Sequence, residues 1–210
     1  MTRAHIAAAA LLALIGTAAG AQQTARVAVS PDSKLWIEGT SNLHDWTCKA
    51  EKLDAAIDLE AAAASQLSVA PPKSLKRVQV TVPVKSLKCG HDAMDNIMYK
   101  SLNADASPNI SYVLTTFEAA TGDSAKTFTL HALGTLTVAG KENALAMDVV
   151  ATRSSDGSIK ATGTVPLKMA DYGIKPPKAL LGTLKTGNDV KIKFELIVGA
   201  KAIATAFNQP

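Results

Sequence analysis

Apolar and polar residues alternate along most of this 210-residue chain, and that period of two constrains its fold more than any other feature. In "RVQVTVPV", residues 77–84, valine occupies every second position, and "DVKIKFELIV", residues 189–198, repeats the pattern with larger apolar side chains. Successive side chains of a β-strand point to opposite faces. Both stretches therefore predict strands with one buried face. Pro83 predicts an edge or a break in pairing, because proline has no N–H to donate.

Six further stretches follow the same period, and they are residues 34–39, 52–59, 109–117, 127–138, 144–153 and 158–169. Turn-forming residues separate several of them, at "AGKEN" from Ala139, "SSDGS" around Gly157 and "TGND" before Val190. At least eight strands joined mostly by short turns predict an antiparallel meander. Such a sheet hides its apolar face and its edges as two packed sheets or as a closed barrel, and alternation alone does not distinguish the two.

One stretch has helical spacing instead. Met94, Ile97, Met98 and Leu102 recur at intervals of one helical turn, which predicts a short amphipathic helix over about residues 92–103 with Asp92 as its N-cap. Residues 60–74 are rich in small residues and end near a Pro-Pro pair, so we predict a loop there.

The first 21 residues have the composition of an export signal. Arg3 provides a positive start, residues 6–15 an apolar run, and residues 19–21 a cleavage site of small residues. The expected architecture is a signal peptide of residues 1–21 followed by one domain of residues 22–210. We expect the protein in the periplasm, with secretion as the alternative.

Charge gives little support for a polyanionic partner. The formal net charge is +4, and the lysines are interleaved with acidic residues. No block of like charges marks a basic tail, which argues against nucleic acid. Lys175, Lys178 and Lys185 leave a transient contact with a membrane surface as an option, although scattered lysines are more often a solvated face.

The chain has two cysteines, Cys48 and Cys89, and an exported protein meets an oxidising compartment. We therefore predict a disulfide between them. Closing a loop of this length stabilises a fold by roughly 4 kcal/mol in the chain-entropy model. Free thiols and a cysteine-containing metal site are the alternatives, but the paired C-x-x-C spacing of zinc sites is lacking.

The surroundings of the cysteines, "HDWTC" and "CGHD", allow three interpretations. A catalytic pair of His44 and Asp45 is disfavoured because adjacent strand residues point to opposite faces, and no nucleophile motif accompanies them. A metal site built on His44 and His91, with the neighbouring aspartates, is an alternative. The interpretation we adopt is structural: the two motifs form a stapled corner that holds the helix at one end of the sheet.

Four stretches resemble one known family. They are "LWIEGTSNLHDWTC", "KCGHDAMDNIMYKSLNADASPNISYVL", "GTLTVAGKENALAMDVV" and "LKMADYGIKPPKALLGTLKTGNDVKIKFEL", and together they span nearly all of residues 22–210. In order and spacing they are similar to the YceI-like proteins. The resemblance implies an all-β fold, an eight-stranded antiparallel lipocalin-like barrel, with the short helix near the barrel mouth.

The resemblance also implies a function. A YceI-like barrel is expected to hold a long-chain isoprenoid, a quinone-type lipid or another amphiphilic lipid in an apolar cavity, without transforming it and without a cofactor. Such a protein is a carrier and not an enzyme. Two alternatives remain: a stress-related interaction protein with a solid core, and a metal-binding or redox protein that uses His44 and His91.

On the same basis we assign candidate ligand-binding residues. Tyr172, in "MADYGI", either presents its hydroxyl to a lipid head group or caps the core. The other candidates divide into inward wall positions and residues of the helix at the mouth; they are Val80, Val82, Tyr112, Leu114, Phe194 and Leu196 for the wall, and Met94, Ile97 and Met98 for the mouth.

Overall fold

The structure is a computed structural model that describes residues 24–27, 29–60, 74–124 and 126–199. Twelve strands lie in these ranges: β1 Thr24–Val27, β2 Lys34–Ser41, β3 Trp46–Ala50, β4 Asp54–Glu60, β5 Leu75–Pro83, β6 Leu87–Lys88, β7 Asn109–Ser124, β8 Thr127–Val138, β9 Lys141–Arg153, β10 Ile159–Lys168, β11 Lys178–Ala179 and β12 Leu184–Val198. One α-helix, α1, covers Asp92–Ser101, and 3₁₀ segments cover Val84–Ser86, Met169–Tyr172 and Leu180–Gly182. The predicted signal peptide and residues 61–73 of the predicted loop lie outside the described residues.

These strands form eight antiparallel staves, a stave being a run of chain that crosses the wall once. Three staves are interrupted: β1 continues into β2, β3 into β4, and β5 into β6. The other staves are β7, β8, β9, β10 and β12. Each stave pairs with the next along the chain, and β12 returns to β2 with Phe194 opposite Leu35. The described staves therefore make a closed ring, and the predicted antiparallel barrel is confirmed, although twelve strands build its staves where eight were predicted.

The interruptions follow from the sequence. β5 ends at Pro83, which pairs with Asn109 as its last ladder position, and the 3₁₀ turn follows at once. The predicted break at this proline is confirmed. The Ser86 carbonyl then accepts a hydrogen bond from the Glu51 N–H, with a donor–acceptor distance of 2.9 Å. That bond joins the second and third staves between their two paired stretches.

The barrel has two ends. The far end carries the β9–β10 turn, and here a cluster of buried side chains forms a packed floor: Val27, Leu59, Ala151, Ile159 and Val198. The mouth end carries the β2–β3 and β8–β9 loops, α1 and residues 169–184. Here the buried cluster includes Val84, Leu87, Leu102 and Tyr172, and Met98 and Tyr99 of α1 pack against it.

Two details differ from the predictions. The helix begins at Asp92, so the N-cap is His91, whose carbonyl accepts the N–H groups of Met94 and Asp95 at 2.9 and 3.0 Å. Asp92 instead occupies the first turn, where a carboxylate favours the positive end of the helix dipole. The turn predicted at "TGND" is wrong: residues 186–189 lie within β12 as a bulge, where the register with β2 shifts between Thr186 and Val190.

Toward the mouth, two neighbouring strands of the wall, β9 and β10, are not paired along a seam. β9 and β10 pair only between Val150–Arg153 and Ile159–Thr162. Residues 141–149 of β9 and 163–168 of β10 pair with their outer neighbours β8 and β12 instead. The segment Met169–Tyr172 bridges the seam, because the Asn143 side-chain amide donates to the Asp171 carbonyl at 2.9 Å. The barrel is thus held more loosely near its mouth than at its floor.

Among the described residues, none of the helices combines the length and the apolar character needed to cross a membrane.

Candidate ligand-binding cavity

An apolar cavity occupies the barrel. All eight staves contribute to its wall, and the lining consists of leucine, isoleucine, valine, alanine, methionine and phenylalanine side chains with one tyrosine, Tyr112. The volume of this cavity is about 190 Å³. No charged side chain reaches this wall in the described part of the chain.

The side chains around the cavity leave open space between them. On β9, Leu145, Met147 and Val149 line the cavity and remain partly exposed, although the residues between them face the solvent outside. A side chain in a solid core is almost completely covered, because protein interiors pack at high density. The partial exposure of these inward side chains therefore reports a hollow interior, which does not support the alternative of a solid core.

The predicted wall residues lie where the alternation placed them. Val80 pairs with Tyr112 and Val82 with Ile110 across the β5–β7 ladder, and all four line the cavity. Leu114, Phe194 and Leu196 line it as well. The Phe194 ring also fills the space that a Cβ of Gly163 on β10 would occupy.

Sequence reasoning missed much of the wall, although the same period would have found it. The omitted positions include inward residues of β2, β4, β8, β9 and β10 as well as two aromatic residues near the floor; they are Leu35, Ile37, Ile57, Phe117, Phe128, Leu130, Ala132, Leu145, Met147, Val149, Ala161 and Val165.

A second apolar cavity lies at the mouth and adjoins the first. The two share the wall residues Ile37, Ile110 and Ile192. The predicted mouth residues Met94, Ile97 and Met98 line this second cavity, and so does Tyr172. The volume of this second cavity is also about 190 Å³. The barrel interior and the space beneath α1 therefore hold two neighbouring apolar cavities.

Tyr112 places a polar atom in this apolar surface. Its side chain is 8% exposed, and its Oη atom has no hydrogen-bond partner among the described residues. The ring and hydroxyl lie against Gly134 of β8, where any Cβ would collide with them. Burial raises the pKa of the Tyr112 hydroxyl, so the group is protonated at neutral pH and available as a donor.

Helix α1 is fixed to the barrel by a disulfide and a buried carboxylate. Cys48 of β3 is bonded to Cys89, just before the helix, so the predicted disulfide is confirmed. Asp95 is 3% exposed and accepts the Cys89 N–H at 2.7 Å, and it pairs with Lys88 at 3.2 Å. The Cys89 hydrogen bond, and secondarily Lys88, lower the pKa of Asp95. The Tyr99 hydroxyl donates to the Leu87 carbonyl at 2.8 Å.

The "HDWTC" corner has a structural arrangement. The Trp46 ring covers Gly39 of β2, and its Nε1 donates to the Thr40 carbonyl at 3.1 Å. His44 is exposed, and its Nδ1 lies 2.8 Å from the Asp45 carbonyl oxygen. Within residues 24–27, 29–60, 74–124 and 126–199, no three His, Cys, Asp or Glu side chains form a group that could hold a metal ion. The geometry therefore gives no support to the alternative metal site at His44 and His91.

The fold and its hollow apolar interior define a lipocalin-like antiparallel β-barrel. A family model for the YceI-like domain matches residues 29–198, and the chain belongs to that family. The predicted resemblance is confirmed.

Solved structures show the same fold at low sequence identity. BcnA of Burkholderia cenocepacia is 17% identical, with a TM-score of 0.63 over 81% of this chain and 99% of that one. A polyisoprenoid-binding domain from Saccharophagus degradans is 14% identical, with a TM-score of 0.58 over 83% and 97%. The YceI protein of Campylobacter jejuni is 18% identical, with a TM-score of 0.52 over 72% and 82%. Among curated proteins, none matches the chain.

Proposed function

We propose that this protein binds and carries a lipid with a long apolar chain, a polyisoprenoid or an isoprenoid quinone, without changing it chemically. The observation that carries the proposal is the pair of adjoining apolar cavities, one inside the barrel and one at the mouth. Burying one methylene group contributes about 0.8 kcal/mol, so a long chain gains affinity with each unit that enters. A wall of branched aliphatic side chains has little means of selecting among chains by hydrogen bonding.

The chemistry of the wall supports binding and not catalysis. A catalytic site needs a nucleophile, an acid or a base near the reacting atoms. The cavity wall offers one titratable side chain, Tyr112, whose raised pKa keeps it neutral. The relative from Saccharophagus degradans is described as a polyisoprenoid-binding domain, which agrees with this ligand class.

The ligand contacts that we propose are the predicted residues. Val80, Val82, Leu114, Phe194 and Leu196 would contact the chain inside the barrel, and Met94, Ile97, Met98 and Tyr172 would contact the part near the mouth. Methionine suits a mouth, because its flexible thioether adapts to ligands of different shape. Tyr112 favours a ligand with an acceptor oxygen, such as a quinone carbonyl, because its buried donor has no partner among the described residues.

We place this activity in the periplasm. The signal-like residues 1–21 and the disulfide both support an exported protein, since disulfides persist in oxidising compartments. The proposal includes no nucleic-acid partner and no cofactor.

A variant that fills the cavity tests the proposal. Ala161 of β10 lines the cavity and is partly exposed to it, whereas Ala146 of β9 is exposed on the outer wall. We expect Ala161→Phe to weaken the uptake of a long-chain isoprenoid quinone by about tenfold or more, a loss of about 1.4 kcal/mol or more. Ala146→Phe is the matched control and should bind like the unaltered protein. Titration followed by native mass spectrometry measures both.

Equal uptake by the two variants would place the ligand outside the barrel. No uptake by the unaltered protein, after its bound lipid has been extracted, would refute the proposed function itself.

A further inference from the structure

Two leucines project into solvent beside the mouth. Leu43, in the β2–β3 loop, is 70% exposed, and Leu181, before β12, is 108% exposed. The next most exposed large apolar side chains of the described residues, Val113 and Leu133 on the outer wall, are 42% exposed. Leucine is usually buried, and an exposed apolar site beside a cavity marks a surface that another apolar body covers.

The two chain segments that carry the leucines are joined by Asn42. Its side-chain amide donates to the Thr183 carbonyl at 2.8 Å, and its side-chain oxygen accepts the Lys185 N–H at 2.8 Å. The Asn42 N–H donates to the Lys185 carbonyl at 3.0 Å. The β2–β3 loop and the segment before β12 are therefore one connected rim, with one leucine on each part.

Leu181 has a strained backbone conformation, and its side chain is exposed. Leu181 has φ 56° and ψ 28°, the left-handed region that glycine and asparagine adopt far more readily than leucine. Gly182 follows at φ 88°. A branched apolar residue kept in this conformation, with its side chain fully in solvent, gains nothing from packing within the barrel.

The rim borders the mouth cavity. Ser41 and His44, on either side of the Leu43 loop, line the mouth cavity, and so do Ala179 and Leu184 around Leu181. A body that covered both leucines would also cover the opening through which a ligand leaves.

The charge of the rim is positive. Residues 173–188 contain Lys175, Lys178 and Lys185 and no acidic residue. All three lysines are exposed, and none forms an ion pair with a described residue. The acidic neighbours are Asp45 on the adjoining loop and, at the two ends of the segment, Asp171 and Asp189, of which Asp189 pairs with Lys168. Apolar side chains flanked by lysines are complementary to a bilayer surface that carries anionic head groups.

We propose that this rim docks the barrel mouth on an anionic phospholipid bilayer, with Leu43 and Leu181 inserted among the acyl chains and the three lysines at the phosphates. The inference builds on the proposed lipid-carrier function, since docking would bring the mouth cavity to the bilayer interior. A lipid could then pass between the membrane and the barrel without exposing its chain to water.

Vesicle flotation tests the proposal. The vesicles are phosphatidylethanolamine with phosphatidylglycerol in one set and phosphatidylcholine alone in the other. Leu43→Ser with Leu181→Asn removes both apolar side chains, and asparagine tolerates the left-handed backbone. Val113→Ser with Leu133→Ser removes two exposed apolar side chains from the outer wall as a matched control. All proteins carry the same N-terminal residues, so any binding contributed there is common to them.

We expect the rim variant to bind phosphatidylglycerol vesicles at least tenfold more weakly than the unaltered protein, and the wall variant to bind unchanged. Undiminished binding by the rim variant, equal binding of the unaltered protein to phosphatidylcholine, or no binding to either would overturn the proposal. Uptake of an isoprenoid quinone in solution is measured on the same proteins. If the rim variant retains quinone uptake and binds vesicles as well as the unaltered protein does, docking alone is refuted. If none of the proteins takes up the quinone, the carrier function is refuted.

Discussion

Tyr112 is the residue whose chemistry is least explained by packing. An unpaired buried hydroxyl costs about 1–3 kcal/mol, and a fold selected only for stability would place phenylalanine at this position. Its hydroxyl lies over Gly134, a residue whose lack of a side chain makes room for it. The pair therefore keeps a neutral, unpaired donor buried in the cavity wall, where other wall side chains offer none.

We expect Tyr112→Phe to stabilise the lipid-free protein by about 1 kcal/mol, because it removes an unpaired buried group and no hydrogen bond. The same variant should bind an isoprenoid quinone more weakly than the unaltered protein. Urea unfolding of the delipidated proteins measures the first effect, and titration measures the second.

Tyr172→Phe is the matched control for this prediction. Tyr172 is similarly buried, but its hydroxyl is hydrogen-bonded to the Asn143 side chain. Its loss should lower stability by about 1 kcal/mol. If both variants are destabilised equally, Tyr112 has a partner in solution and its role as a ligand donor is contradicted.

Asp95 gives the mouth a pH dependence. Its folded-state pKa is lowered, so the charged form stabilises the fold above the ordinary aspartate pKa of about 3.9, and this stabilisation is lost as the pH falls through the lowered value. We expect Asp95→Asn to reduce stability by about 1 kcal/mol at pH 7, since a hydrogen bond to a charged acceptor is stronger than one to a neutral acceptor. Thermal unfolding across pH should show the two proteins converging in acid; a constant difference down to the lowest pH would contradict this origin.

At the level of elements, the Cys48–Cys89 disulfide joins β3 to the start of α1 across a sequence separation of 41 residues. Replacing both cysteines with alanine should lower the free energy of unfolding by about 4 kcal/mol in the chain-entropy model. Binding of a lipid should largely survive, because Asp95 and Tyr99 still hold the helix. Thermal unfolding and titration of the double variant measure both effects, and an unchanged melting temperature would show that the disulfide does not stabilise the mouth.

The elements also show which structure the sequence makes predictable. The alternation in β5, β7 and β12 placed the inward side chains correctly, because a single buried face fixes each strand's register. "TGND" misled because glycine and asparagine favour turns and bulges alike, and only the pairing with β2 determines which one forms. The predicted N-cap, Asp92, lies one residue after the observed N-cap, His91, because histidine is an uncommon N-cap residue.

The hollow interior and the mouth were beyond sequence reasoning for a different reason. Whether inward side chains meet across a barrel depends on the number and tilt of all its staves, which no local pattern contains. Leu43 and Leu181 are 138 positions apart in the chain by their numbering, and only the Asn42 hydrogen bonds bring their loops together. Leu181 gives no local sign of its left-handed backbone, which arises from the path of the chain over the mouth.

At the scale of the whole molecule, stability and function divide along the barrel axis. At the far end β9 pairs with β10, and the floor is packed. Toward the mouth β9 and β10 are not paired with each other. The contacts that close the mouth are made by α1 and by the segment Met169–Tyr172, which Asn143 joins to β9. Regions held by few ladder hydrogen bonds open at lower free energy than the rest of a fold. A lipid would therefore enter and leave at the mouth while the floor stays intact.

Native mass spectrometry of the protein isolated from its own host, followed by organic extraction of the molecules that dissociate, tests whether the barrel carries a lipid. We expect one long-chain isoprenoid or isoprenoid quinone per protein molecule. A protein of bare mass, which also takes up no isoprenoid when one is added, would contradict it.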